Sequence, residues 1–209
     1  MLKYRIRESK VFKHKSPSII LLHGYGSDEL DLFSFADFLP KKYTIISVRA
    51  PYETPMGGHS WFSINFDNSS EKMSNYEEAS TSISKLISQI DYFIEKYDLD
   101  SSEINLMGFS QGAVLSWCLL LDFYAKINRA VCMSGYIDQN LLKEDIGKYR
   151  DITAYSSHGI NDPVIPFVWA KKSIEILKEN NPEVVFKSFK DAHNVSPENF
   201  KEILIWLGK

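Results

Sequence analysis

The run Gly108-Phe109-Ser110-Gln111-Gly112 sets two glycines around a serine at a junction between two kinds of local structure. Before it lies an apolar, strand-like segment, Ile104-Asn105-Leu106-Met107. After it comes a helix-like one, Ala113 to Leu121. A strand that turns this sharply into a helix brings its backbone close to neighbouring elements, where a Cβ at either flank would collide. The serine is then held at a strained turn, its oxygen exposed and a helix N-terminus beneath it, where developing negative charge is favoured. A G-x-S-x-G run in this context is the signature of a nucleophilic serine. The competing reading is a glycine-rich turn with a helix-capping serine.

The wider pattern is one of short apolar runs alternating with longer amphipathic ones, which predicts an α/β fold with a mostly parallel central sheet and helices on both faces. Expected strands are Ile19–Leu22, Thr44–Val48, Ile104–Met107, Ala130–Met133, Ile152–Ser156 and Val184–Phe189, with Tyr4 to Phe12 adding an antiparallel edge strand or hairpin. Between Tyr76 and Tyr97, Ile83, Leu86, Ile87, Ile90 and Ile94 fall on one helical face. Ala113 to Phe123 is apolar nearly all round and should be a buried helix. Phe167 to Leu177 is amphipathic, with Trp169, Ile174 and Leu177 expected inward. A last helix is announced by Ser196 as cap and Pro197 in the first turn, with Phe200, Ile203, Leu204 and Leu207 facing the core. Arg49 to Asn75 and Ile137 to Arg150 fit no regular element.

With 209 residues the chain has the length of one domain, expected over 1–209. A net charge of −3 leaves no basic footprint for nucleic acid. The basic, aromatic stretch Lys3, Tyr4, Arg5, Arg7, Lys10, Phe12 and Lys13 alternates and reads as a solvated strand or hairpin. The N-terminus has no signal-peptide core, and no apolar run approaches the ~18 residues of a membrane span. Cys118 and Cys132 lie in apolar segments and read as buried free thiols in a reducing compartment, so a cytoplasmic setting is expected.

A serine hydroxyl needs a base to take its proton, and that base is a histidine whose other nitrogen is held by a carboxylate. On α/β-hydrolase topology the order along the chain is Ser, then Asp or Glu, then His. After Ser110 only His158 and His193 remain. His158 precedes the Asp162 loop and would invert the order, whereas His193 follows the last strand. Ser110, Asp162 and His193 are therefore the expected catalytic residues. Two backbone donors should face the oxyanion: the N–H of Gln111, directly after the nucleophile, and that of Tyr25, between Gly24 and Gly26 in the loop after the first central strand. His23 reads as a structural hydrogen-bonding residue.

These segments resemble the phospholipase/carboxylesterase family of α/β-hydrolases, which includes acyl-protein thioesterases. The matching stretches are Leu22-His23-Gly24-Tyr25-Gly26 with Asp28 and Asp31, then Arg49-Ala50-Pro51 with Gly57-Gly58 and Trp61-Phe62. Gly108 to Gly112, His158-Gly159 with Asp162, and His193 with Pro197-Glu198 complete the set, in order from about Ile19 to Leu207. The resemblance implies a compact α/β-hydrolase fold with no large lid domain. It also implies the same Ser110, Asp162 and His193 roles, donors at Tyr25 and Gln111, and hydrolysis of esters or thioesters without metal or organic cofactor. The chain departs from the family pattern at Ser63, often acidic, and at Ala192, often glycine.

The Arg49–Asn75 segment is unusually apolar for a loop, with Met56, His59, Trp61, Phe62 and Phe66, and Gly57-Gly58 as a hinge. It is expected to overhang the serine, with Trp61 and Phe62 forming an acyl or alcohol pocket; the alternative is that both rings anchor the loop to the core. The expected partner is a small-molecule or lipid-like acyl ester, with no nucleic acid and no stable membrane insertion; a homodimer is left open. An amidase or peptidase-type serine hydrolase and a non-catalytic ligand-binding protein on this fold are the competing functions.

Overall fold

A computed structural model describes residues 1–66 and 72–208, with side chains omitted at 65, 66, 72 and 73. In chain order the strands are β1 (Tyr4–Arg7), β2 (Ser16–Leu22), β3 (Thr44–Val48), β4 (Tyr52–Glu53), β5 (His59–Ser60), β6 (Ile64–Phe66), β7 (Lys72–Ser74), β8 (Leu99–Phe109), β9 (Arg129–Met133), β10 (Ala154–Gly159) and β11 (Val184–Phe189). The helices are α1 (Tyr76–Lys96), α2 (Gln111–Asp122), α3 (Phe167–Lys178) and α4 (Pro197–Leu207). Seven strands form one sheet in the order β1-β3-β2-β8-β9-β10-β11. Only β1 runs antiparallel, along the edge of β3; the other pairs are parallel.

The central parallel strands β2 and β3, and β8 from Ile104 to Gly108, are covered on both faces, so their apolar residues run on with little polar alternation. In β2, Ile20 and Leu22 face a layer built from α1, α2 and α3, with Leu86, Ile90, Phe93, Trp117, Ile174 and Leu177. Its alternate residues Ile19 and Leu21 face the other layer, where Leu32, Leu39 and Tyr43 join Ile203, Trp206 and Leu207 of α4. Helix α2 packs on β8 and β9 beside α1 and is buried along Gln111–Leu121, as its all-round apolar sequence requires. Capping fixes two helix starts. Asn75 Oδ1 accepts from the Glu78 amide ahead of α1, and Ser196 Oγ accepts from the Asn199 amide ahead of α4, with Pro197 in the first turn.

The chain starts at the edge strand β1, enters β2, steps outward to β3, which pairs with β1, and then returns over β2 through α1 to β8. Strand order therefore reverses at the β2/β8 pair, and a crevice for ligands opens beyond the carboxyl ends of strands at such a point. Leu22 of β2 lies opposite Gly108 of β8, so the loops that leave both strands emerge side by side.

Several elements differ from expectation. The N-terminal strand stops at Arg7, and β10 starts at Ala154 and runs on through Ser157 and His158 to Gly159. Those polar residues belong to the strand because β11 pairs with them in register. The Arg49–Asn75 segment holds two small antiparallel hairpins, β4/β5 and β6/β7, although residues 67–71 and the Phe66 side chain lie outside the described residues. The stretch from Ile137 to Arg150 contains two single 3-10 turns, Gln139–Leu141 and Ile146–Lys148.

The glycines at the β8–α2 junction are spatially required. A Cβ on Gly108 would lie 2.3 Å from the Gly112 carbonyl oxygen, and one on Gly112 would lie 2.0 Å from that of Leu22. Both obstacles are backbone, so neither can rotate away. Gly112→Ala is expected to lower stability by about 1–3 kcal/mol or more through overpacking. Urea unfolding with an unchanged midpoint would contradict this account of the junction.

Candidate active site

Ser110 occupies the turn between β8 and α2 at φ +53° and ψ −119°, a region that side-chain-bearing residues rarely adopt. Such a conformation costs about 1–3 kcal/mol and persists only where surrounding contacts impose it. Here the Ser110 amide donates to the Met133 carbonyl at 2.9 Å, and its own carbonyl accepts from the Ala113 and Val114 amides at 2.9 and 3.1 Å. The backbone is thereby clamped between β9 and the first turn of α2, and the side chain projects into the crevice.

His193, in the loop between β11 and α4, reaches Ser110. Its Nε2 lies 2.9 Å from Ser110 Oγ and its Nδ1 2.7 Å from Asp162 Oδ2. A carboxylate can only accept, so Nδ1 carries the proton and Nε2 presents a lone pair to the serine hydroxyl. Phe109 packs beside the imidazole with ring centroids 5.0 Å apart. Asp162 sits in the loop after β10, its side chain fully enclosed, and its Oδ1 accepts the Val164 and Ile165 amides at 2.8 and 2.9 Å. Burial alone would push this carboxyl up. The His193 hydrogen bond and the two amides outweigh it and hold Asp162 below the ordinary carboxylate range.

The loop after β2 lies against the serine: a Cβ on Gly24 would come within 3.3 Å of Ser110 Cβ. The Tyr25 and Gln111 amides, expected as oxyanion donors, thus belong to two segments that meet at Ser110. Gln111 is the first residue of α2, where a helix offers no internal acceptor to its N–H. The Gly24 loop is stitched in place from behind. His23 accepts the Ala50 amide at Nε2, 3.0 Å away, and its Nδ1 meets the Gly24 carbonyl at 2.7 Å. Trp61 Nε1 donates to the His23 carbonyl, while Gly26 and Ser27 exchange backbone hydrogen bonds with His59. Beyond the loop, the buried Glu29 carboxylate takes both Nε and Nη2 of Arg49.

The serine opens onto a cavity of about 360 Å³ whose walls include Tyr25, Met56, Phe62, Ile64, Val114, Tyr136, Val164, Ile165 and Trp169. Of the two aromatic residues expected there, Phe62 lines it and Trp61 does not. Trp61 is fully buried behind the wall, its amide donating to Gln111 Oε1 at 2.8 Å. The Gln111 side chain also donates to the Phe62 carbonyl at 2.6 Å, so one amide group ties the loop to the start of α2. Trp169, expected in the core, is 41% exposed and forms an edge-on pair with Tyr136 at 5.5 Å on the cavity wall. The N-terminal turn of α3 overhangs the crevice rather than the sheet, which redirects that apolar position. Tyr136, Ile165 and the Gln111 side chain were not foreseen; a polar residue at the head of an apolar helix was the one signal for Gln111.

A family model for phospholipase/carboxylesterase matches residues 6–209. The chain belongs to the phospholipase/carboxylesterase family. It is similar to the acyl-protein thioesterase 1 of Debaryomyces hansenii, with 27% identity over 95% of this chain and 93% of that protein. That of Cryptococcus neoformans is 22% identical over 91% and 90%. Among solved structures, a Bacillus cereus carboxylesterase superposes with a TM-score of 0.85 at 20% identity, covering 100% of this chain and 94% of that one. Acyl-protein thioesterase 2 of Zea mays gives 0.77 at 22% identity, over 100% and 98%. This family member is thus an α/β-hydrolase and an enzyme of the esterase/thioesterase type. Among the described residues, no helix is long and apolar enough to cross a membrane, and no group of three or more His, Cys, Asp or Glu is arranged to hold a metal ion.

His23 links this architecture to pH. Its burial lowers the imidazole pKa, an effect that the Gly24 carbonyl only partly offsets. The folded state therefore holds His23 neutral while the unfolded chain protonates below about 6.5. The unfolded state then binds more protons, and stability present above that pH is lost as the pH falls. The stability gap between wild type and His23→Gln, measured by urea unfolding, should narrow from about pH 7.5 to 5. A gap independent of pH would contradict it.

Proposed function

We propose that this chain cleaves carboxylic esters or thioesters of acyl groups by a two-step transfer through Ser110. The observation that carries the proposal is the unbroken hydrogen-bonded line from Ser110 Oγ through His193 to the buried Asp162 carboxylate, at the mouth of an apolar cavity. In the first step Ser110 Oγ attacks the acyl carbonyl as its proton passes to His193 Nε2. Asp162, ionised and desolvated, stabilises the imidazolium and keeps Nδ1 protonated. The carbonyl oxygen takes up negative charge toward the Tyr25 and Gln111 amides, where loss of one donor typically costs about 3–4 kcal/mol of barrier. Collapse of the tetrahedral species expels the alcohol or thiol with the proton from Nε2. Water, deprotonated by the same nitrogen, then releases the acid and restores the serine.

The relatives named acyl-protein thioesterase support the acyl ester or thioester class. The cavity supports the same reading, since apolar walls beside the nucleophile suit an acyl group. In this reading Phe62 shapes the acyl site directly and Trp61 acts from behind, through His23 and Gln111. The two free, buried thiols, Cys118 and Cys132, agree with a reducing, cytoplasmic setting.

Ser110→Ala should reduce turnover of p-nitrophenyl esters by about 10⁴-fold or more while leaving the fold intact. Retained turnover in that variant would refute the mechanism. Across a series from acetate to palmitate, Phe62→Ala should move the preferred chain length. Trp61→Ala should instead lower the unfolding temperature and kcat for every ester alike. A Trp61→Ala profile with a shifted optimum and native stability would reverse the two roles.

A further inference from the structure

His158 is a second histidine at the Asp162 carboxylate, and the mechanism above makes no use of it. It is the penultimate residue of β10, its side chain wholly enclosed, with the Phe167 ring edge-on at 6.1 Å. Its Nε2 lies 2.9 Å from the Ile165 carbonyl oxygen and 3.3 Å from Asp162 Oδ2. Its Nδ1 is buried and has no hydrogen-bond partner among the described residues.

These contacts fix the tautomer. A carbonyl oxygen can only accept, so the proton sits on Nε2 and the unpartnered Nδ1 is a bare lone pair. Asp162 Oδ2 then has two imidazole N–H groups beside it: His193 Nδ1–H, which bonds it at 2.7 Å, and His158 Nε2–H. The second of these points its hydrogen bond at Ile165. That residue gives its amide to Asp162 Oδ1, and its side chain lines the cavity. His158 therefore holds the far end of the turn from Asp162 to Ile165 by its carbonyl, while the same N–H sets its positive end against the carboxylate. A rigid strand is thus joined to a loop that carries the acid.

We propose that His158 is a positioning residue that holds the Asp162 carboxylate in the geometry His193 requires. This inference rests on the reading of Ser110, His193 and Asp162 as a triad. Without the Nε2–H, the Ile165 carbonyl is left buried and unpaired, the turn shifts to satisfy it, and Asp162 loses its alignment with His193 Nδ1. Binding of the acyl group is not the step affected.

The test compares His158→Phe, which keeps a planar ring without the donor, with His158→Gln, whose side-chain amide can place an N–H near the Nε2 position. Steady-state kinetics on a p-nitrophenyl ester and the downfield proton resonance of His193 Nδ1–H are the readouts. His158→Phe should lower kcat by about tenfold at unchanged KM and abolish or broaden that resonance, as expected when a catalytic group is slightly misplaced. His158→Gln should restore both. A histidine that merely fills space would lower the unfolding temperature and leave the resonance and kcat in place; that result overturns the proposal, as does a His158→Gln no better than His158→Phe. Should His158→Phe not fold, His158→Asn carries the same contrast, being polar but too short to reach the Ile165 carbonyl. Wild-type turnover that survives Ser110→Ala would remove the triad itself, an outcome distinct from any change at His158.

Discussion

At the end of β8 the backbone must pass from strand to helix around one residue, and Ser110 accepts a conformation that most residues avoid. Steric exclusion makes this turn possible and holds it. Gly112 presses on the Leu22 carbonyl, Gly108 presses on Gly112, and the Ser110 amide is bound to β9. A side chain at Gly112 would push α2 away from β2, and one at Gly108 would push it away from β8. The helix N-terminus, the serine oxygen and the loop after β2 would then no longer converge. The remaining parts of the site are arranged about this contact.

From that point, support spreads outward in layers with different chemistry. Behind the serine lies an apolar core of alternating strand residues on both faces of the sheet. Beside it runs a polar lattice in which the side chains of His23, Trp61 and Gln111 bind backbone atoms of the loops, while His59 joins through its own backbone. Such side-chain-to-backbone bonds satisfy buried polar groups that loops would otherwise leave unpaired. They also fix loop positions to within a hydrogen-bond length, which an oxyanion site demands. The exposed rim, with Met56, Val164 and Trp169, is where the crevice meets solvent.

The central parallel strands were legible in the sequence because they are buried on both sides and read as short apolar runs. Thr44–Val48 and Val184–Phe189 match in full, while β10 runs past its apolar part because pairing with β11 carries Ser157 and His158. The hairpins of the Arg49–Asn75 segment were not legible, since strands of two or three residues have no period to detect. The positions of Ser110, Asp162 and His193 followed from chain order on such a sheet. Trp61 and Trp169 exchanged the places that hydrophobicity alone assigned them: the loop tryptophan is core and the helix tryptophan lines the cavity. Which apolar residue faces a cavity depends on where a helix end sits over the sheet, a relation between distant segments that local periodicity does not encode. His158 was legible only as a base that chain order sets aside, because its contact is with an acceptor contributed by Ile165 and not with its own motif.

The central claim is that Ser110 is made nucleophilic by His193. Intact-mass spectrometry after treatment with a fluorophosphonate, followed by peptide mapping, measures this directly. One adduct per chain, confined to Ser110 and strongly slowed in His193→Ala, is the predicted result. No adduct on the folded protein, or labelling as fast in His193→Ala as in wild type, would contradict it.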